Sequence, residues 1–183
     1  MNRIDEHFIK EFRRKTEAIW KNRELNLGIY GFQIQTGTRW NTGLSENDIK
    51  QYEHHLDLRF PDDFRLILRH MNGTDLPTLN VYGTSGEPHA MGVGVFSFPR
   101  DSKLMKKCLE EVARERSEIR AVLKDDGFNL DPEMGLIPFF PHRYLVSDPN
   151  LPEVPVLSIV GTDAIVYAPN FRSYLESEFL KDG

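Results

Sequence analysis

The sequence is short of cysteine and of long apolar runs. Cys108 is the single cysteine in 183 residues, which excludes an internal disulfide and a cysteine-rich zinc site. The longest apolar runs, residues 91–98 and 154–160, are much shorter than the ~20 residues that span a bilayer. Charged residues occur every few positions in residues 1–15, which therefore lack the apolar run of a signal peptide. No signal peptide and no membrane association are expected. One free cysteine then favours the reducing cytoplasm as the location.

Positive charge is not in excess. The chain has 23 Lys and Arg against 28 Asp and Glu, a formal net charge of −5, whereas a dedicated nucleic-acid binder normally carries a basic surface. Residues 1–42 hold eight basic and five acidic side chains, residues 43–90 hold four and eight, and residues 148–183 hold two and six. Such mixed charge is ordinary for a soluble surface. It would also steer a basic protein partner toward the acidic body.

The sequence does contain enough apolar material for one hydrophobic core. Hydrophobic residues make up 39% of the chain, with 12 Phe, 6 Tyr and 2 Trp, and this length fits a single domain. We therefore predict one domain over residues 1–183. Residues 3–20 have the periodicity of an amphipathic helix, and with the irregular chain to residue 39 they form an N-terminal part. Residues 40–180 form the main body.

The clearest helix signals lie between residues 45 and 73. Ser45 is predicted to cap one helix, with Asp48 three residues later as an approximate capping box. Pro61 is predicted to begin the next helix, because proline needs no N–H bond there. Asn72 and Gly73 are predicted to end that second helix, since both tolerate the left-handed conformation of a helix C-terminus.

The second half of the chain alternates between short strand-like runs and helices. One long helix is predicted from Asp101 or Ser102 to residue 123, and a last helix is predicted after Pro169-Asn170. A hairpin with a four-residue loop is predicted at residues 161–164. The predicted strands are 29–35, 79–82, 93–98, 136–140, 144–147, 154–160 and 165–167. Strands in succession with few helical crossovers predict an α+β fold, with a single antiparallel sheet and helices packed against it.

No catalytic or metal-binding motif is found. The six histidines lack metal-ligand spacing, so a structural or solvated role is expected for each; they are His7, His54, His55, His70, His89 and His142. Residues 83–86 lack the spacing of a nucleophile elbow, and Cys108 is predicted to be a small core residue. We therefore predict no catalytic residues, no metal and no cofactor.

Residues 139–144 suggest an interaction surface. Arg143 and Tyr144 are residue types enriched at protein interfaces. The alternative is that Phe139 or Phe140 belongs to the core and that Arg143 forms an internal salt bridge. The sequence favours neither interpretation over the other.

Several of these features occur together in an order found in a known family. The first group is Leu44-Ser45-Glu46, Ile49, Tyr52-Glu53, Leu56, Phe60-Pro61-Asp62-Asp63-Phe64, Leu68 and Met71-Asn72-Gly73. The second is Leu136-Ile137-Pro138, His142-Arg143-Tyr144, Pro155-Val156-Leu157-Ser158, Asp163, Ile165, Tyr167, Tyr174-Leu175 and Glu178-Phe179. Over residues 40–180 the chain resembles the SMI1/KNR4 family of the SUKH superfamily, although Phe60 replaces the family's usual Leu.

This resemblance implies an α+β fold with one antiparallel sheet and a binding function without catalysis. Bacterial members of the family are regarded as immunity proteins that neutralise toxins, often nucleases, and fungal members act as regulatory scaffolds in cell-wall synthesis. We therefore predict a non-catalytic immunity protein whose partner is a basic toxin domain. A regulatory scaffold is one alternative, and a hydrolase using His142 or His89 with a carboxylate is another.

The predicted partner contacts are drawn from loops and strand ends, where binding residues concentrate. They are Trp40, Asp75, Tyr82, His142, Arg143, Tyr144 and Asp163. The oligomeric state is left open at this stage.

Overall fold

The structure, a computed structural model, describes residues 4–81, 88–90, 93–148, 151 and 153–180, without the side chains of 88–90. Its helices are α1 (Glu6–Lys21), α2 (Glu46–Leu56), α3 (Asp62–His70), α4 (Ser102–Arg114), α5 (Arg116–Asp125) and α6 (Phe171–Phe179). Its strands are β1 (Gly31–Ile34), β2 (Trp40–Thr42), β3 (Met71–Thr74), β4 (Thr78–Val81), β5 (Pro88–Ala90), β6 (Gly135–Phe140), β7 (Arg143–Ser147), β8 (Val156–Val160) and β9 (Asp163–Ala168). Within these residues no helix combines the length and apolar character needed to cross a bilayer.

The α+β class is confirmed, but the prediction of a single sheet is wrong. Within the described ranges the strands form three antiparallel sheets: β1-β4-β5, β2-β3 and β6-β7-β8-β9. Apolar alternation shows that a segment is extended and half-buried. It does not identify the neighbouring strand, which is set by tertiary packing. The four-stranded sheet is the one that positions the candidate site.

The predicted helix starts agree closely with the structure. Ser45 and Asp48 form a complete capping box at the start of α2. Asn170 caps α6 by accepting a hydrogen bond from the backbone N–H of Ser173 at 2.9 Å. Pro61 precedes the first turn of α3 as its N-cap residue, one position earlier than predicted. Short-range signals of this kind suffice because the groups that bond lie within four residues of each other.

The predicted end of the second helix is wrong. The helix α3 ends at His70, and the chain continues directly into β3 instead of reaching Asn72 and Gly73. Gly73 does have a positive φ of 69°, but packing also requires glycine there. A Cβ at Gly73 would lie 2.5 Å from the carbonyl oxygens of both Val95 and Phe96.

A second difference from the prediction is that residues 93–98 are irregular chain and not a strand. The amide of Asn72 donates to the carbonyl of Phe98 at 2.6 Å and accepts from its N–H at 3.0 Å. These side-chain bonds satisfy the backbone groups of Phe98, which a strand partner would otherwise take. Nothing in the local alternation of 93–98 distinguishes the two outcomes.

Two boundaries in the second half also differ. The predicted long helix is divided at Glu115 into α4 and α5. The predicted four-residue loop of the β8–β9 hairpin is shorter, because Val160 pairs with Asp163 and leaves Gly161 and Thr162 to turn the chain. Gly161 has the positive φ, 59°, that such a tight turn requires.

An aromatic core joins α1 to the rest of the domain. Trp40 is only 3% exposed, and its ring packs against Phe12, Trp20 and Phe179 with centroids 5.2–5.8 Å apart. Its indole N–H donates to the Thr16 hydroxyl at 2.8 Å. The N-terminal helix therefore belongs to the folded body. Trp40, predicted as a partner contact, instead lies in the core with its side chain inaccessible to a partner.

A second apolar cluster lies between α4, α5 and one face of the four-stranded sheet. Its members are Val112, Ile119, Leu123, Leu130, Leu136, Tyr144, Val146, Leu157, Ile159 and Ala164. The helices cover this face incompletely, and the uncovered end forms the groove described next.

Candidate functional site

An apolar groove of about 480 Å³ lies between α4 and the turns of the β6–β7 and β8–β9 hairpins. Its apolar walls include Phe32, Leu104, Val112, Phe140, Ile159 and Val160. Charged side chains are confined to α4 and its C-terminal end, at Glu111, Arg114 and Glu115. A concave apolar surface with few polar groups is typical of a binding site.

Helical spacing explains how α4 contributes one wall. Leu104, Cys108 and Glu111 are spaced by four and three residues, and Val112 and Glu115 lie four and seven residues after Cys108. This spacing places the five residues on one stripe of α4 and its C-cap. Val112 is buried at the base. Leu104 remains 37% exposed, so its side chain is available at the mouth of the groove.

Strand alternation explains the opposite wall. Tyr144 pairs with Leu157 across β7 and β8, and both belong to the cluster beneath α4 and α5. Arg143 precedes Tyr144 and pairs with Ser158, so it lies on the other face of the sheet. Adjacent residues of one strand therefore face two different environments.

His142 shapes the turn that begins this strand. It adopts a left-handed conformation with φ of 62°, and its carbonyl accepts a hydrogen bond from Ile159 at 2.9 Å. This bond holds the β6–β7 turn against β8. The imidazole packs on Phe32, with ring centroids 5.1 Å apart.

The groove holds two acidic groups in their neutral form. Burial raises the pKa of the Cys108 thiol, an effect only partly offset by a hydrogen bond with Tyr144. Burial likewise raises the pKa of Tyr144 well above its ordinary value, with the charge of a Cys108 thiolate and the same hydrogen bond as smaller contributions. Both groups are therefore protonated at neutral pH. A protonated thiol is a poor nucleophile.

His142 is also uncharged at neutral pH. Burial lowers its pKa, and the nearby charge of Arg143 adds a smaller decrease. No carboxylate in the described part of the chain is hydrogen-bonded to its ring. The imidazole therefore lacks the partner that orients a general base. Over the same residues, no three His, Cys, Asp or Glu side chains lie close enough together to hold a metal ion.

The opposite face of the sheet carries the charged side chain of Arg143 beside the buried core side chains of Leu145 and Val156. The Arg143 guanidinium stacks over the Tyr167 ring at 3.7 Å and donates to the Ser158 hydroxyl at 2.8 Å. Its Nε lies 3.8 Å from a Glu178 carboxylate oxygen. The structure thus has the internal ion pair that one of the two sequence interpretations required, while the guanidinium also borders an exposed strand.

The predicted contact residues separate into four places. His142 and Tyr144 line the groove, whereas Arg143 and Asp163 lie on the opposite face of the same sheet. Asp75 is exposed elsewhere, where its carboxylate accepts from the backbone N–H of Arg39 at 2.7 Å and of Leu76 at 2.8 Å. Trp40 is in the core, as described above, and Tyr82 lies outside the described residues.

Most groove residues were absent from the predicted set, and Phe32, Leu104 and Val160 are three of them. Phe32 and Leu104 carry the alternation and periodicity of buried positions, which gives no sign that they border a cavity. Val160 is 54% exposed at a strand end. Val160 precedes the turn at Gly161 and Thr162, which begins where predicted but ends two residues earlier.

No protein-family model matches the sequence, and a search of curated proteins gives no significant match. The resemblance to the SMI1/KNR4 family therefore remains a prediction.

Proposed function

We propose that this domain binds a protein partner without catalysis, and that the groove beneath α4 receives an apolar side chain of that partner. The observation that carries the proposal is the apolar lining of the groove, whose charged side chains are confined to Glu111, Arg114 and Glu115. The pKa shifts of Cys108, Tyr144 and His142, which favour the uncharged form, agree with this apolar character. Such a surface suits an apolar group better than a phosphate, a metal ion or a carboxylate.

The exposed apolar side chains around the groove support the same function. Leu104 and Val160 stand at its mouth, and Ile29 lines an adjacent cavity that shares Phe32 as a wall. Single exposed apolar residues need no explanation, but a group of them around a cavity is typical of a protein-binding surface. A partner that covers them would place its central side chain in the groove.

We further propose that the partner is a toxin that the domain neutralises, as in the bacterial members of the family it resembles. The acidic excess of residues 43–90 and 148–183 would attract a basic domain, such as that of a nuclease. Charge steering of this kind acts mainly on the association rate. Association should therefore slow as salt is added, since salt screens exposed charges.

The test is co-expression with the product of the neighbouring gene, followed by growth and binding measurements. Leu104→Asp places a charge at the mouth of the groove and is expected to abolish protection and to weaken binding by about 100-fold or more, as for a hot-spot residue. Val122→Asp is the matched control, because Val122 is also 37% exposed but lies on α5 outside the groove lining. Cys108→Ser should retain full protection.

Three results would contradict the proposal. Equal behaviour of Leu104→Asp and Val122→Asp would remove the groove from the interface. A complete loss of protection in a folded Cys108→Ser variant would point to thiol chemistry. A neighbouring product that is not toxic and does not bind would remove the toxin as partner.

A further inference from the structure

The outer edge of β9 is an unpaired apolar strand. It is the last strand of the order β6-β7-β8-β9, and within the described residues it pairs only with β8. Ile165, Val166 and Tyr167 are 46%, 37% and 39% exposed. The strand reads DAIVYA and contains neither the lysine nor the proline that commonly protects an edge. An exposed apolar edge of this kind is a template for pairing with another strand.

The face beside this edge has opposite charges near the two ends of β9. Ser158 pairs with both Arg143 and Ile165, and Val160 pairs with Asp163, so these side chains share one face of the sheet. Arg143 lies over the ring of Tyr167, near the end of β9.

The two charged groups differ in how far they are already engaged. Asp163 is exposed at the start of β9, and its carboxylate forms no ion pair with any other described residue. The Arg143 side chain, on β7, is 18% exposed and lies 3.8 Å from the Glu178 carboxylate. The surface at β9 thus has an unpaired carboxylate near the first residue of the strand and a partly exposed guanidinium over Tyr167.

We propose that β9 pairs in antiparallel fashion with β9 of a second copy of this chain, about a twofold axis through Ile165. In this register Ile165 lies opposite Ile165 of the second copy, and Asp163 lies opposite Tyr167. Directly opposite residues of antiparallel strands point to the same face. Each Asp163 carboxylate therefore approaches the Arg143 guanidinium that covers the opposing Tyr167, and the symmetry forms this contact twice.

Charge complementarity identifies the occupant as a second copy. A twofold axis requires a surface that complements itself. The surface at β9 has an acid, Asp163, near one end, the Arg143 side chain of β7 over Tyr167 near the other, and an apolar centre. In the alternative register, Val166 would lie on the axis. Asp163 would then lie opposite Pro169 of the second copy, two residues beyond that copy's Tyr167. The net charge of −5 on each copy opposes association at long range, but physiological salt screens charges that are more than ~8 Å apart.

Sedimentation equilibrium over a wide concentration range tests the proposal. The wild type is expected to dimerise reversibly. Ile165→Lys brings two ammonium groups together on the axis and is expected to weaken dimerisation by about 100-fold or more. Leu27→Lys is the control: Leu27 is 55% exposed and distant in sequence from β9, so this variant carries the same charge change and should dimerise like the wild type.

A cross-linking experiment checks the register without depending on a disruptive charge. Opposed residues have Cβ atoms ~4.5–5.5 Å apart, close enough for a disulfide after a small adjustment. Ile165→Cys should therefore form a covalent dimer under mild oxidation, whereas the wild type, which retains Cys108, should not.

The possible outcomes are decisive in either direction. Dimerisation that is lost in Ile165→Lys but kept in Leu27→Lys, together with self-linking of Ile165→Cys, supports the proposal. A wild type that stays monomeric at all concentrations would overturn it and leave the edge for a strand of another protein. A dimer that persists in Ile165→Lys would overturn it as well.

Discussion

The two faces of the four-stranded sheet give different environments to two neighbouring residues of β7, Arg143 and Tyr144. On one face Tyr144 lies in a groove where burial raises the pKa of its hydroxyl and of the Cys108 thiol, so both stay protonated at neutral pH. On the other face Arg143 remains charged and is held by Tyr167, Ser158 and Glu178. One face suits an apolar side chain, and the other suits a partner with complementary charges.

This comparison shows why a cluster of interface-type residues in a sequence cannot be assigned to one site. Because side chains alternate along a strand, Arg143 and Tyr144 necessarily point to opposite faces. From the sequence they are predicted, with His142 and Asp163, as a single set of contacts. The structure divides this set into two surfaces, which can be altered separately.

The largest expected effect is a loss of stability on the groove face. Leu157 is fully buried beneath α5, so Leu157→Ala should reduce the free energy of unfolding by about 2–5 kcal/mol. Ile165→Ala, at the exposed edge strand β9, should cost no more than about 0.5 kcal/mol, because Ile165 is 46% exposed. Urea denaturation at a dilution where the chain is monomeric measures both. Equal losses would show that Ile165 is packed as tightly as Leu157.

A smaller effect is expected from Arg143→Lys. Lysine keeps the charge near Glu178 but loses the planar stacking on Tyr167 and the geometry of the bond to Ser158. Together these should cost about 1–2 kcal/mol of stability. The groove should be unaffected, so partner binding should match the wild type once folding is complete. A large loss of binding to the partner would instead connect the two faces.

The sequence was sufficient for local structure and insufficient for tertiary pairing. The capping box at Ser45 and the cap at Asn170 depend on neighbouring residues, and both predicted helix starts are confirmed. The division into three sheets and the strand β3 after α3 depend on distant contacts. Gly73 illustrates the limit, since its predicted role was local but its main constraint is the backbone of Val95 and Phe96.

The candidate site was predictable only in part, for a similar reason. Tyr144 was predicted from its residue type and His142 from its place among the loops and strand ends, and both line a cavity. Trp40 was predicted in the same set, but contacts with Phe12, Trp20 and Phe179 bury it. Residue type alone does not distinguish an aromatic at an interface from one in the core, because both are apolar with a polar end.

The thiol of Cys108, which lines the groove, should also be less reactive than an ordinary thiol. Because burial raises the pKa of Cys108, alkylation by iodoacetamide should be slower than for a free cysteine, and its pH midpoint should lie above ~8.5. Tyr144→Phe removes a hydrogen bond that lowers this pKa, so reaction at a given pH should slow further. Acceleration in the folded variant would contradict this assignment.

The raised pKa of Cys108 also predicts how the free energy of unfolding depends on pH. The contribution of the protonated Cys108 thiol is complete below the pKa of the unfolded thiol and is lost as pH rises through the higher folded pKa. Cys108→Ser should remove this part of the alkaline decline in the free energy of unfolding. Chemical denaturation of both proteins across the alkaline range measures the difference.

The smallest expected effect distinguishes the two causes that act on His142. An NMR titration should give it a pKa below the ordinary ~6.5, because burial disfavours the imidazolium and Arg143 repels it. Phe32→Ala exposes the ring and should return the pKa most of the way, whereas Arg143→Gln should return it less, since burial is the larger cause. The pKa of His142 is lower in the folded protein than in the unfolded chain. Its contribution to the free energy of unfolding is therefore complete above the unfolded pKa and is lost as pH falls through the folded pKa. A larger return in Arg143→Gln than in Phe32→Ala would show that charge on the opposite face, and not the apolar groove, controls this side chain.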